Sequence, residues 1–286
     1  LKQYIATMPL PVHVGLAGPA SLKTLVKFAS FVGLKNTVEI NFLTGEKSPA
    51  LAVQMVRSAD ADKFSTLFSL ICTLGNRSTI IFCNQREIVE QVSNFLKDKS
   101  IVNVFYHGAM EQQERDVALC KFRNGSSNVL VTTDLAARGL DIPNIRYIVH
   151  FQLPTSQESF IHRNGRTARM EASGTAILLL APQETVPGYI DPQPIEIELN
   201  ADAGLPAKPD WSTFYISVGK KDKVNKIDIV GFLTNKGRLK KEEIGLIEVK
   251  DFFSFVAIRK SKAGPTLQLI KEERIKNKKV KIEVAK

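Results

Sequence analysis

The stretch His162-Arg163-Asn164-Gly165-Arg166-Thr167-Ala168-Arg169 sets three arginines three residues apart, with glycine and small residues between them. On a loop running into a helix, residues three apart share a face, so Arg166 and Arg169 can converge on one anion. A guanidinium suits a γ-phosphate because it is planar, permanently charged and offers a fork of donors. Upstream lies Thr132-Thr133-Asp134-Leu135-Ala136-Ala137-Arg138-Gly139-Leu140-Asp141, which follows a short apolar run. Hydroxyls and backbone amides there suit phosphate, and a carboxylate suits a ribose hydroxyl. Asp134 can also serve simply as a helix cap, and the two roles are compatible.

The surrounding pattern supplies elements to carry these residues. Ser78–Asn84 is an apolar run fit for a buried parallel strand. Ile88, Val89, Val92, Phe95 and Leu96 fall on one helical face, and 102–106 reads as another strand. Val117, Leu119, Cys120 and Phe122 suit a helix ending near Asn124-Gly125. Residues 129–131, 147–149 and 175–180 are further strands. Alternating strands and helices imply a parallel α/β sheet, with the ligand site in the loops at the strand carboxyl ends. Six prolines in 182–209 predict a linker. Beyond it, strands near 214–218, 244–249, 253–258 and 280–284 and helices near 224–233 and 265–273 give the order βαββαβ. RNA-recognition domains share that ferredoxin-like arrangement.

Composition narrows the partners. The chain carries a net charge of +10, and residues 210–286 hold 19 Lys+Arg against 10 Asp+Glu. Nearly all the surplus therefore sits in the last quarter, as on a face that meets a polyanion or as on a merely solvated lysine-rich surface. No apolar run approaches the roughly 18 residues of a membrane span, and the first residues lack a signal-peptide layout. Cys72, Cys83 and Cys120, odd in number and set among apolar residues, read as reduced buried thiols of a cytoplasmic protein rather than a disulfide frame or metal site.

Four of these segments, in order, resemble motifs of the DEAD-box RNA helicases. Ser78–Asn84 is similar to motif IV, 132–141 to motif V and 162–169 to motif VI. His107-Gly108-Ala109-Met110-Glu111-Gln112-Gln113-Glu114-Arg115 resembles the glutamine-x-x-arginine motif, with Gln112 and Arg115 at its named positions. The resemblance implies a RecA-like α/β domain over 44–183. It gives Thr132 a contact with the RNA backbone, Asp134 a role in holding its loop, and Gln112, Arg115 and Gly108 a place along the RNA, where Arg115 reaches a phosphate or bridges to motif VI. Arg138 and Gly139 would shape the domain interface, with Gly139 and Asp141 at the nucleotide and Asp141 near its ribose. Arg166 and Arg169 would act as arginine fingers on ATP and Mg2+, and His162 would link the motif to a partner domain. Such a finger is worth roughly 10³–10⁵ in rate in related NTPases. The family usually has glycine where Ala168 stands.

Tyr215–Leu233 is similar to the RNA-binding domain of DbpA-type helicases, which implies that 210–286 tethers the chain to structured, ribosomal RNA after a linker at 184–209. Glycine followed by clustered lysines suits close approach to phosphates, which singles out Lys220, Lys221, Lys223 and Lys226, with Arg238, Lys240 and Lys241 second. Tyr215, Phe253 and Phe255 align with the aromatics of an RNA-recognition sheet, either as a stacking platform or as core. The phosphate loop Gly-x-x-x-x-Gly-Lys-[Ser/Thr] and an Asp-Glu-Ala-Asp run do not occur. The chain thus resembles the second half of a helicase, and the alternative is a non-catalytic RNA-binding fragment. Residues 1–43 are atypical: 31–43 resemble the approach to the second helicase domain, and 9–26 are similar to a strand–helix piece of methylenetetrahydrofolate reductases, too short to hold that enzyme's flavin. The expected molecule is a cytoplasmic monomer active in ribosome biogenesis, with RNA as partner, no membrane and no metal-ligating cluster.

Overall fold

The computed structural model describes residues 51–137, 142, 145–165, 174–191 and 193–285. The atypical segment 1–43, and within the motifs Arg138, Gly139, Asp141, Arg166 and Arg169, lie outside the described residues.

Seven strands form a parallel sheet in the order β3-β4-β2-β5-β6-β1-β7. They are β1 (Ala52–Arg57), β2 (Thr79–Cys83), β3 (Asn103–Tyr106), β4 (Val129–Thr133), β5 (Tyr147–His150), β6 (Thr175–Leu180) and β7 (Ile195–Glu196). Every side chain of β2 is buried, as expected for a central parallel strand covered on both faces. The covering helices are α1 (Phe64–Leu74), α2 (Arg86–Asp98) and α3 (Gln112–Arg123), with short α4 (Asp134–Ala137) and α5 (Gln157–Asn164). One face packs Leu67, Leu70, Val89, Val92 and Leu96 on Ile81, Val131 and Ile177. The other packs Leu119 and Phe122 on Ile80, Phe82 and Leu130. Cys72, Cys83 and Cys120 are free and buried, and burial pushes the Cys83 and Cys120 thiols up to about 12. They are apolar packing atoms rather than nucleophiles.

The proline-rich stretch differs from a plain linker. Ile195–Glu196 pairs in parallel with Gln54 and Met55, and Ile197 N–H donates to the Met55 carbonyl at 2.9 Å. Proline is tolerated beside an edge strand, where one side of the backbone faces solvent. Two residues between Pro194 and the following loop are enough to extend the sheet.

The last quarter forms an antiparallel sheet in the order β13-β8-β10-β9. Its strands are β8 (Trp211–Ile216), β9 (Ile244–Val249), β10 (Ser254–Arg259) and β13 (Ile282–Val284), with helices α6 (Lys226–Asn235) and α7 (Lys260–Ile270). A hairpin of β11 (Arg274–Ile275) and β12 (Lys278–Lys279) intervenes. Removing that hairpin leaves the expected βαββαβ order. Alternation puts Phe214, Ile216, Val256 and Ile258 under the two helices with Ile229, Leu233 and Ile270. Ile227, within the expected helix, is 81 % exposed. Asn225 caps α6 by accepting the Asp228 N–H, which begins the helix at Lys226, two residues later than the apolar spacing suggested.

The opposite sheet face is covered too. Tyr215, Phe253 and Phe255 pack with Cys120 and Val117 of α3. Asn124 Nδ2 donates to the Thr213 hydroxyl at 2.8 Å, and Arg123 lies 3.5 Å from Glu248. Residues 48–286 accordingly make one compact unit.

Candidate functional site

Three strands of the parallel sheet deliver the motif residues to one edge. Asn84 follows β2, Asp134 follows β4 and His150 ends β5. Arg163, on the last turn of α5, reaches into the gap between them. It is 1 % exposed, the largest fully buried side chain described. Its Nε donates to Asp134 Oδ1 at 2.6 Å and its NH2 to Oδ2 at 2.7 Å, a fork-to-fork pair. NH2 also donates to Asn84 Oδ1 and NH1 to the Gln152 carbonyl, both at 2.7 Å. The guanidinium lies 5.2 Å from the Phe82 ring centroid. A buried cation needs this degree of satisfaction, since an unpaired one carries a heavy desolvation cost. One arginine thus ties motifs IV, V and VI together.

Beside it, His150 is fully buried, and its ring pKa is pushed down to about 3, first by burial and then by the Arg163 charge, with the Asn164 hydrogen bond pulling the other way. Arg163 NH1 can only donate, so Nδ1 at 3.4 Å accepts, and Nε2 carries the proton toward Asn164 Oδ1 at 3.1 Å. The pair holds Asn164, the last residue of α5, against the sheet edge. Ser156 caps α5 by accepting the Ser159 N–H at 3.1 Å, which fixes the helix that carries His162 and Arg163.

The residues singled out in the sequence divide. Asp134 is paired with Arg163, a partner that the sequence pattern does not assign to it. His162 is largely exposed, 3.8 Å from Glu158 Oε1 one turn earlier. Thr132 is fully buried and its hydroxyl donates to the Tyr106 carbonyl at 2.8 Å, so the group expected to meet the RNA backbone is engaged within the sheet. Gln112 and Arg115 open α3, whose start is fixed by a capping box between Glu111 and Glu114. Arg115 NH2 donates to Gln112 Oε1 at 2.6 Å, and Gln112 Nε2 to Asp116 Oδ1 at 3.3 Å. Arg115 Nε lacks a partner among the described residues. Gly108 is exposed with open space around it. Gly139, Asp141, Arg166 and Arg169, the residues expected at the nucleotide, lie outside the described residues, so the fit of ATP and Mg2+ rests on their donor chemistry alone.

In the small sheet, Tyr215 does not present a free ring. It lies 5.6 Å from Phe253 and 6.0 Å from Phe255, centroid to centroid, in the cluster with Cys120 and Val117. Phe255 is 0 % exposed. The stacking-platform alternative is therefore closed in this arrangement, and the core alternative holds. Alternation could not decide this, because both faces of the sheet are apolar and only the tertiary partner distinguishes them.

The lysines do stay outside. Lys220, Lys221, Lys223 and Lys226 are all exposed, on a 3₁₀ turn (Lys220–Asp222) and the start of α6. Asp222, within the turn, accepts from the Gly219 N–H at 3.0 Å and from Lys278 Nζ at 2.6 Å. Those two donors hold its carboxyl below the ordinary aspartate range, the lysine contact being the larger. Lys276 Nζ similarly reaches Asp228 at 2.8 Å and the Lys223 carbonyl at 2.6 Å. The unexpected β11–β12 hairpin thus braces the turn and adds its own cations, while the lysines of the turn keep their ammonium groups toward solvent.

Two family descriptions match the chain: "Helicase conserved C-terminal domain" over residues 62–171 and "DbpA RNA binding domain" over 213–284. It is 33 % identical to the ATP-dependent RNA helicase DbpA of Escherichia coli (strain K12) over 244 residues, covering 83 % of this chain and 53 % of that protein. It is 30 % identical to the ATP-dependent RNA helicase DbpA of Bacillus subtilis (strain 168) over 259 residues, 81 % of this chain and 54 % of that one. The chain spans about half the length of these curated relatives. The parallel sheet with its braced Asn84–Asp134–Arg163 edge, the small basic domain behind it and these matches agree: the chain belongs to the DbpA-type DEAD-box RNA helicases, and it carries their helicase carboxyl-terminal domain followed by their RNA-binding domain.

Proposed function

We propose that this chain is the carboxyl-terminal half of an ATP-dependent RNA helicase that binds structured, ribosomal RNA and lends Arg166 and Arg169 to ATP hydrolysis. The observation that carries the reading is the Arg163 frame. It holds Asp134 and the end of α5, and so fixes the described residues that precede Arg138–Asp141 and Arg166–Arg169 in the sequence. Fixed donors aimed at developing charge are the usual source of phosphoryl-transfer stabilisation. ATP with Mg2+ would supply the transferring group, mainly bound by a first RecA-like domain. This chain's part is to present cations from one side and to hold RNA through Arg115 and the lysine turn. The surplus of cations in 210–286 supports a polyanion partner. The protein would act as a cytoplasmic monomer in ribosome biogenesis.

The test is phosphate release with and without RNA. This chain alone is expected to show none, and to support RNA-stimulated turnover when a first RecA-like domain of the family is added in trans. Arg166→Ala or Arg169→Ala should abolish that turnover while RNA binding persists. The second reading, a non-catalytic RNA-binding fragment, is favoured by the lack of a Gly-x-x-x-x-Gly-Lys-[Ser/Thr] loop in this sequence. It predicts RNA binding with no turnover in either assay.

A further inference from the structure

With Tyr215, Phe253 and Phe255 packed on α3, one aromatic of the small domain remains outside. Phe252 is 69 % exposed. It stands at the tip of the β9–β10 hairpin, where the Lys250 N–H donates to the Phe253 carbonyl at 2.8 Å and leaves Asp251 and Phe252 as the central turn residues. The lysine turn is clamped to the same tip. Lys220 N–H donates to the Lys250 carbonyl and Lys221 N–H to the Asp251 carbonyl, both at 2.8 Å. Gly219 permits the contact, since a Cβ there would lie 2.3 Å from the Lys250 oxygen. An exposed phenyl ring and two exposed ammonium groups therefore ride on one hydrogen-bonded body.

That body adjoins the start of α3. Lys250 Nζ lies 3.9 Å from Asp116 Oδ1, the same oxygen that accepts from Gln112, which in turn accepts from Arg115. A short chain of side chains thus joins the hairpin tip to the glutamine-x-x-arginine pair of the larger domain.

We infer that Phe252 is a base-stacking residue. An unpaired RNA base lies on its ring, the neighbouring phosphates sit on Lys220 and Lys221, and the strand continues past Gln112 and Arg115. The inference rests on the reading that this chain binds RNA and adds a named site to it. A phenyl ring at a loop tip beside cations offers what an unstacked base needs: a flat apolar face and charge for its backbone. Asp251, exposed on the same tip, works against the phosphates.

The experiment uses the full chain and two labelled RNAs with equal phosphate number, one a hairpin with an unpaired loop and one a blunt duplex. Phe252→Ala is expected to weaken looped-RNA binding roughly tenfold, in line with about 1–3 kcal/mol per stacked base. It should leave duplex binding and the salt slope as they were, because the ring carries no charge. Phe252→Trp should retain the loop preference, Phe252→Leu should not, and Asp251→Asn should tighten both RNAs. Equal affinity of wild type and Phe252→Ala for looped RNA overturns the inference, as does full retention by Phe252→Leu, which would mark a merely apolar contact. Failure of the wild type to bind either RNA would instead sink the RNA-binding reading itself, and this site with it.

Discussion

Asp134 and Arg163 meet through two parallel hydrogen bonds of 2.6 and 2.7 Å, joining the end of β4 to the last turn of α5 with the arginine fully enclosed. Removing the carboxylate would leave a buried guanidinium with Asn84, the Gln152 carbonyl and the longer contact to His150 Nδ1 as its acceptors. Breaking such a pair from one side costs about 3–5 kcal/mol. Asp134→Ala is therefore expected to lower the denaturant midpoint by the equivalent of at least about 3 kcal/mol. Asp134→Asn, which keeps one acceptor, should lose less. Equal stability of Asp134→Ala and wild type would show that the pair does not hold this edge.

His150 makes the fold sensitive to mild acid. Its folded pKa, about 3, lies below the ordinary histidine value of 6.5. The unfolded chain therefore takes up a proton between those values that the folded chain refuses, and stability falls as pH drops below 6.5. From pH 7 to pH 5 this one ring should remove about 2 kcal/mol, as long as the folded value stays under about 4. In His150→Asn the loss over the same window should shrink by that amount. Thermal or denaturant unfolding at the two pH values measures it, and an undiminished loss in the variant would place the acid sensitivity elsewhere.

Gly219 is where the lysine turn touches the β9–β10 tip. A methyl group there meets two carbonyl oxygens within 2.6 Å, both of them backbone and therefore stiff. Gly219→Ala should cost about 1–3 kcal/mol of stability, the usual range for overpacking. It should also loosen the Lys220 and Lys221 amides, visible as faster hydrogen exchange at those two positions than at Ile229 in α6. Unchanged exchange would mean that the clamp is not rigid.

The sequence showed the sheet and its edge because buried parallel strands leave dense apolar runs, and because motif residues follow those strands directly. β6 lies where it was expected, at Thr175–Leu180. The motif VI stretch reads as a loop running into a helix with Arg166 and Arg169 as its phosphate ligands, whereas His162–Asn164 close α5 and Arg163 is the residue that organises the described edge. Nothing in local spacing separates an arginine aimed at a ligand from one aimed at Asp134, since the difference lies in a partner 29 positions away. The same limit explains Tyr215 and Phe255, whose partner is α3, and Phe252, which shares their aromatic run but sits on a two-residue turn. The β11–β12 hairpin carried too few apolar residues to show a period. β7 is only two residues long and hidden among prolines.

The lysine turn bears the central claim, that this half of the chain meets RNA as a polyanion. Replacing Lys220, Lys221 and Lys223 together by alanine removes exposed cations without touching the core. The most direct measurement is the RNA dissociation constant over a range of salt, for wild type and the triple variant. The account predicts weaker binding and a log–log salt slope shallower by about 2–3, close to one counterion for each lysine lost. Identical affinity and identical slope would contradict it.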